Sequence, residues 1–215
     1  MPLFPDATVG RPPDRAAPPG LHPWVHRPAG TPVHPAPQRT AAVLFDRDGT
    51  LVRDVPYNGD PRAVQLMPGA AGAVAALRAA GVRVGVVSNQ SGVARGLLTR
   101  QQVEAVHLRI EELLGPLDVW AVCPHGPDDG CTCRKPAPGL VLAACRVLDV
   151  PPDRAVVIGD IGSDAAAAVA AGAWSVLVPT PVTRAEEVAA AATVCGDLTD
   201  ATRAALAHLG CEGAR

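Results

Sequence analysis

From residue 41 the chain alternates short apolar runs with longer Ala-rich stretches, and this alternation restricts its fold more than any other feature. Ala41–Phe45 (AAVLF), Arg83–Val87 (RVGVV), Asp118–Val122 (DVWAV), Ala155–Ile158 (AVVI) and Ser175–Val178 (SVLV) are too short for helices and mostly apolar throughout. Such runs read as strands buried on both faces. Helices are expected between them, at Gly69–Ala80, from the Thr99 capping box with Gln102 to Leu114, at Gly139–Leu148, at Asp164–Ala171 and at Glu186–Ala192. A short strand near Thr193–Cys195 and a helix at Leu198–Leu209 close the chain. Strands alternating with helices at this spacing predict an α/β fold with a doubly wound parallel sheet. The composition agrees: hydrophobic residues make up 48% of the chain but aromatics only 3%, so Ala and Val must fill the core.

Residues 1–39 are set apart by 11 of the 23 prolines and by a lack of apolar periodicity. Proline removes amide donors and disfavours helix at the residue before it, so a disordered arm is expected, with one domain over residues 40–212. His22, His26 and His34 in this arm read as scattered tail histidines rather than a metal site. The N-terminus has no basic stretch leading into an apolar core, and no run approaches the roughly 20 residues of a membrane span. A cytoplasmic protein with no membrane partner is expected. The net charge of −2, with no basic stripe or interleaved aromatics, argues against a nucleic-acid partner.

In a doubly wound sheet the ligand crevice lies beyond the carboxyl ends of the strands. Four of those ends here carry polar residues: Asp46-Arg47-Asp48-Gly49-Thr50, Ser88-Asn89-Gln90-Ser91, Arg134-Lys135, and Gly159-Asp160 followed by Asp164. One polar strand end is ordinary; four on one edge form an active-site candidate. Asp46, Asp48 and Asp160 brought together repel unless a hard divalent cation neutralises them, and an all-oxygen set suits Mg²⁺. Lys135 adds positive charge, Ser88 and amides around Asn89 offer donors, and Gly49 allows a tight turn against a phosphate. Carboxylate, Mg²⁺, lysine and hydroxyl together point to phosphoryl transfer. Asp164 reads as the N-cap of the Ala-rich helix that follows.

The loop CPHGPDDGCTCRKP (123–136) holds three of the six cysteines. Cys123 and His125 are spaced C-x-H, and Cys131 and Cys133 C-x-C, a tetrahedral set suited to structural Zn²⁺. Without a metal the GPDDG segment has nothing apolar to bury, so Zn²⁺ is expected to mount the loop that presents Arg134 and Lys135. A disulfide is disfavoured in a chain without an export signal, and Cys145, in an apolar helix, reads as core packing.

DRDGT, SNQSG, RKP and GDIGSD, in that order and after those strands, resemble the four motifs of the haloacid dehalogenase-like phosphatase superfamily, over about residues 41–210. The resemblance implies a Rossmann-like fold and casts Asp46 as the nucleophile that forms an aspartyl-phosphate. It casts Asp48 as the group that protonates the leaving alcohol and then activates water. Mg²⁺ is implied between Asp46, the Asp48 carbonyl and Asp160, with Ser88 and Lys135 holding the phosphoryl group and Asp164 orienting Lys135, a role compatible with its capping a helix.

The C-x-H…C-x-C loop before RKP, with SNQSGVARG and CRKPAPG, resembles the capless zinc-containing branch of D-glycero-D-manno-heptose 1,7-bisphosphate and histidinol-phosphate phosphatases. The spacing from Asp48 to Ser88 to Lys135 leaves no room for a cap domain, so the loops around an open crevice must set specificity. The resemblance implies that Asp54–Tyr57 in RDVPYNGDP lines the substrate site, with Asn89, Gln90, Ser91 and Arg134 as further contacts. Arg134 offers a second anion site, which favours a sugar bisphosphate over histidinol phosphate, whose ammonium prefers a carboxylate. Ile161 stands where the heptose enzymes often carry lysine. Members of this branch can be monomers, and a monomer acting on a small phosphorylated substrate is expected. A zinc-stapled module that only binds phosphorylated ligands is the alternative from another class, opposed by the presence of Asp46, Asp48, Lys135 and Asp160.

Overall fold

The structure, a computed structural model, describes residues 21–28 and 40–211. Strands β1 (Trp24–His26), β2 (Ala42–Phe45), β3 (Arg83–Asn89), β4 (Val119–Cys123), β5 (Ala155–Gly159) and β6 (Trp174–Leu177) form one sheet. Its order is β1-β4-β3-β2-β5-β6. Helices α1 (Ala70–Ala79), α2 (Arg100–Leu114), α3 (Gly139–Leu148), α4 (Gly162–Ala171), α5 (Ala185–Ala190) and α6 (Leu198–Leu209) cover it.

β2 lies centrally, paired parallel to β3 on one side and to β5 on the other. Alternate residues of β2 enter opposite cores, which is why its run is apolar at every position. Val43 and Phe45 join Val74 and Leu77 of α1, Ile110 of α2 and Ala201 and Ala205 of α6. Ala42 and Leu44 join Leu140, Ala144 and Leu148 of α3 and Ala167 and Ala168 of α4. The chain leaves β2 for β3 and β4, then returns across it to β5 and β6. This puts the reversal of strand order, where α/β sheets open a crevice, between β2 and β5.

Helix ends follow the sequence cues. Thr99 and Gln102 form the reciprocal capping box on α2. The far end of α2 is closed by Arg78 of α1, whose guanidinium donates to the carbonyls of Leu114, Gly115 and Pro116. No further domain is inserted among residues 40–211.

Three expectations are refined. The sheet is parallel except at its edge, where β1 pairs antiparallel with β4. β1 also falls inside the stretch assigned to a disordered arm. Trp24 packs against the cluster of Leu98, Val103 and Val122, with the Arg100 guanidinium 5.0 Å above its ring. An edge strand tolerates flanking prolines because its outer amides need no ladder partner. Residues 1–20 and 29–39 of the proposed arm lie outside the described residues. The strand expected near Thr193–Cys195 is a single parallel bridge, Val194 to Leu177. Among the described residues no helix is long and apolar enough to cross a membrane.

Candidate active site

A crevice of about 440 Å³ opens beyond the carboxyl ends of β2, β3 and β5, with Asp46, Asp48, Asp54, Asn89, Arg134, Lys135, Asp160 and Asp164 in its lining. A larger hollow, about 770 Å³, lies between α4 and α5, but alanines make up much of its wall and the clustered carboxylates face the smaller crevice.

The floor is built on Lys135. Its buried ammonium reaches Asp46 Oδ1 at 2.5 Å, Asp164 Oδ1 at 2.6 Å and the Val87 carbonyl at 2.7 Å. Asp46 and the Val87 carbonyl accept hydrogen bonds from the ammonium, and Asp164 is its ion-pair partner. Burial alone would lower the lysine pKa, but Asp164 and Asp46 outweigh it and hold the group charged, above its usual value. One cation does not balance the carboxylates around it. Burial pushes the Asp46 carboxyl up to about 8 and that of Asp160 up to about 7, and in both cases Asp164 adds to the rise. Oxygens of Asp46, Asp160 and Asp164 lie within 4.8 Å of one another. Buried oxygen donors with surplus negative charge are what a hard divalent cation requires, so the donor set fits Mg²⁺. Asp164 pairs with Lys135 and also accepts the Ile161 amide at 3.2 Å, but it does so from the first turn of α4, whose N-cap is Ile161 and not Asp164.

Asp160 is held from the loop after β6, which the sequence reading passed over. Thr183 donates its hydroxyl to the Asp160 carbonyl at 2.6 Å, and Thr180 approaches Asp160 Oδ2 at 3.5 Å. The signal was available, because the PTPVT segment leaves another strand end on the same edge. Ser163, Ile161 and Val182 also line the crevice.

Asp48 leans on the side chain before it. Arg47 donates through Nε to both carboxylate oxygens at 3.0 Å, and its Nη2 lies 2.8 Å from Oδ2. Gln90 Nε2 donates to the same Oδ2 at 2.9 Å and to the Ser88 hydroxyl at 2.8 Å. Ser88 is itself buried and is not among the residues that line the crevice. Gln90 is buried and its amide N–H is spent on the Cys123 carbonyl, so it faces Asp48 rather than the open crevice. Asn89 exchanges hydrogen bonds with the backbone of Lys135, 3.1 Å in each direction, which ties β3 to the cysteine loop.

The other expected contacts divide. Asp54 and Arg134 line the crevice; Ser91 and Tyr57 are not among its lining residues. Tyr57, held at φ 53°, instead accepts from Arg95 at 2.8 Å through its hydroxyl.

Behind Arg134 sits the cysteine cluster. Cys123 Sγ lies 3.3 Å from His125 Nδ1, 3.3 Å from Cys133 Sγ and 3.7 Å from Cys131 Sγ, and His125 Nδ1 is 3.2 Å from Cys133 Sγ. A tetrahedral ion with Zn–S bonds near 2.3 Å has ligand edges of about 3.5–3.8 Å. The four atoms therefore enclose a volume close to that of Zn²⁺, and no disulfide forms among the three thiols. The hydrogen bond from Cys133 holds the Cys123 thiol down at about 5, and Cys133 is correspondingly raised. Arg134 Nη1 donates to the His125 carbonyl at 3.3 Å, so the cluster and the crevice share one loop.

A family model described as HAD-hydrolase-like matches residues 132–201. A relative from Pseudomonas putida, named D-glycero-beta-D-manno-heptose-1,7-bisphosphate 7-phosphatase, is 38% identical over 147 residues, 64% of this chain and 82% of the relative. The crystal structure of the D,D-heptose 1,7-bisphosphate phosphatase of Bordetella bronchiseptica, complexed with magnesium and phosphate, superposes with a TM-score of 0.69 at 32% identity. The match covers 78% of this chain and 99% of that one. A structure described as a putative HAD-like phosphatase from Mesorhizobium loti gives a TM-score of 0.73 at 29% identity, over 91% of this chain and 97% of that one. The sequence similarity, the shared fold and the four strand-end motifs have one source: the chain belongs to the haloacid dehalogenase-like phosphatase family.

Proposed function

We propose that the protein is a Mg²⁺-dependent phosphatase that removes the 7-phosphate of D-glycero-D-manno-heptose 1,7-bisphosphate through an aspartyl-phosphate on Asp46. The observation that carries this reading is the buried Asp46–Lys135–Asp164 array, with Asp160 beside it, at the reversal of strand order. Lys135 occupies Asp46 Oδ1 and so fixes the orientation of the carboxylate that attacks phosphorus. Asp48 gives its proton to the leaving alkoxide as the P–O bond breaks, then takes one from the water that cleaves the aspartyl-phosphate. Ser88 donates to a phosphoryl oxygen. Asp46, Asp160 and the Asp48 carbonyl are the groups to hold Mg²⁺, which when bound supplies charge neutralisation for the transferring phosphoryl group. Cys123, His125, Cys131 and Cys133 hold a structural Zn²⁺, and Arg134 meets the distal phosphate.

Histidinol phosphate is the second reading, and Asp54 favours it, because it is a carboxylate in the crevice wall suited to an ammonium. Phosphate release with Mg²⁺, comparing kcat/KM on the two substrates, separates them. Preference for the bisphosphate supports the heptose reading; preference for histidinol phosphate moves the assignment to the second; failure to turn over either removes both.

A further inference from the structure

Arg47 lies between the two carboxylates of DRDGT, and neither the motif nor the reaction scheme gives it a task. Its guanidinium is almost completely buried, 2% exposed, whereas the Asp48 side chain it grips is 24% exposed and lines the crevice. Adjacent side chains in a strand point to opposite faces and do not meet. They meet here because the chain leaves β2 at Phe45 and turns, with the Leu51 and Val52 amides both donating to the Arg47 carbonyl.

The donors on Asp48 are unequally shared. Oδ2 accepts hydrogen bonds from Arg47 Nε and Gln90 Nε2, at 3.0 and 2.9 Å, and has Arg47 Nη2 in ion-pair contact at 2.8 Å. Among the described residues Oδ1 receives only the shared Nε–H, at 3.0 Å. A carboxylate oxygen holding two donors has no lone pair to spare for a proton, whereas one with a single shared donor does. Among the described residues no acceptor other than Asp48 takes a hydrogen bond from the guanidinium, although Asp54 also feels its charge. The neighbouring His107 is buried, its ring stacked 3.8 Å from Trp120, and its nitrogens accept nothing from Arg47 among the described residues.

We infer that Arg47 is a positioning residue that, with Gln90, locks the Asp48 carboxylate by its Oδ2 edge and presents Oδ1 as the atom that carries the proton in both half-reactions. This deepens the proposed function and rests on Asp48 being its acid and base. In the first half-reaction the Oδ1 proton goes to the bridging oxygen as the P–O bond breaks and the Asp46–phosphorus bond forms. In the second, water attacks phosphorus, the Asp46–phosphorus bond breaks, and the water proton returns to Oδ1. A bidentate guanidinium fixes the rotation of a carboxylate, which a single point charge cannot do.

The test compares a leaving group that needs a proton with one that does not. Formation of the aspartyl-phosphate sets kcat/KM, so heptose bisphosphate and p-nitrophenyl phosphate are measured side by side on the full-length protein with Mg²⁺. In Arg47→Met we expect the loss in kcat/KM on the sugar phosphate to exceed that on the nitrophenyl ester by at least about tenfold, roughly 1.4 kcal/mol, with inhibition by orthovanadate unchanged. Arg47→Lys, which keeps the charge but not the fork, should show the same split, and Gln90→Leu a smaller split of the same sign. These two carry the test if Arg47→Met does not fold. Equal losses on both substrates, or full rescue by Arg47→Lys, would overturn the inference. Asp48→Asn is the separate control: no split in that variant overturns Asp48 as the acid, and with it the reaction scheme, whatever the Arg47 variants do.

Discussion

At Gly49 the backbone turns with φ 82°, and a Cβ there would sit 2.3 Å from Asp160 Oδ2. Two demands meet at this residue: a left-handed conformation, and space for a carboxylate of the proposed Mg²⁺ site. Gly49→Ala should therefore cost about 1–2 kcal/mol for the backbone alone, and it should displace Asp160 as well. We expect a modest fall in Tm but a loss of more than about tenfold in affinity for Mg²⁺, read by titrating activity with the metal. A lower Tm with unchanged Mg²⁺ dependence would show that Asp160 has room to move aside. Asp46→Asn tests the proposed chemistry at the same scale. It keeps the volume, removes the nucleophile, and should abolish phosphate release on all substrates while the near-UV circular dichroism stays native. Turnover within about tenfold of the parent would remove Asp46 from the nucleophile's role.

The residues that emerged only from the structure share one property: their partners are distant in sequence. Gln90 reads as a substrate contact in a polar strand end, yet it is buried against Asp48, some forty positions earlier. Thr180 and Thr183 stand at a strand end on the active-site edge, but nothing local marks which carboxylate they will meet. At the scale of elements the same distinction holds. The helices Gly139–Leu148 and Leu198–Leu209 were legible to the residue, because their bounds are set by local signals, Gly210 at the end of one and apolar spacing in both. β1 was not legible, since three residues among prolines become a strand only when β4 presents its edge and Leu98, Val103 and Val122 present a surface to Trp24.

The cysteine loop lies between these cases: its ligand spacing is local, but its consequence is not. Gly139, at the start of α3, would place a Cβ 2.4 Å from the Thr132 carbonyl and 2.8 Å from the Cys133 Cα, so loop and helix are packed backbone to backbone. Loss of the metal should thus propagate to Lys135 rather than stay in the loop. Cys131→Ser should abolish the bound zinc measured by elemental analysis, lower Tm, and reduce kcat although Cys131 lines no part of the crevice. An unchanged zinc content would show that these four residues are not the site, and unchanged kcat after zinc loss would show that Lys135 needs no such mount.

For the molecule as a whole, the sheet concentrates negative charge at one place and leaves it under-compensated. The carboxyls of Asp46, near 8, and Asp160, near 7, stand above the ordinary value of 3.8. Between those limits the metal-free native protein retains protons that the unfolded chain has released. Native-state proton binding then exceeds unfolded-state binding, so stability must fall as pH rises through this window. The stabilising contribution is complete below the unfolded pKa and is spent once pH passes the folded values. Mg²⁺ reverses the sign, because a cation among these oxygens must expel the same protons. Two linked outcomes are expected. After treatment with EDTA, Tm should decline from about pH 5 to about pH 8, and added Mg²⁺ should restore it most at the alkaline end. Mg²⁺ binding should also release protons, detectable by calorimetry in buffers of different ionisation enthalpy, so the apparent affinity rises with pH. A Tm independent of pH, with no proton released on binding, would mean that the carboxylates are already ionised in the metal-free fold. The array around Lys135 would then be a balanced ion-pair network rather than a site that binds a cation.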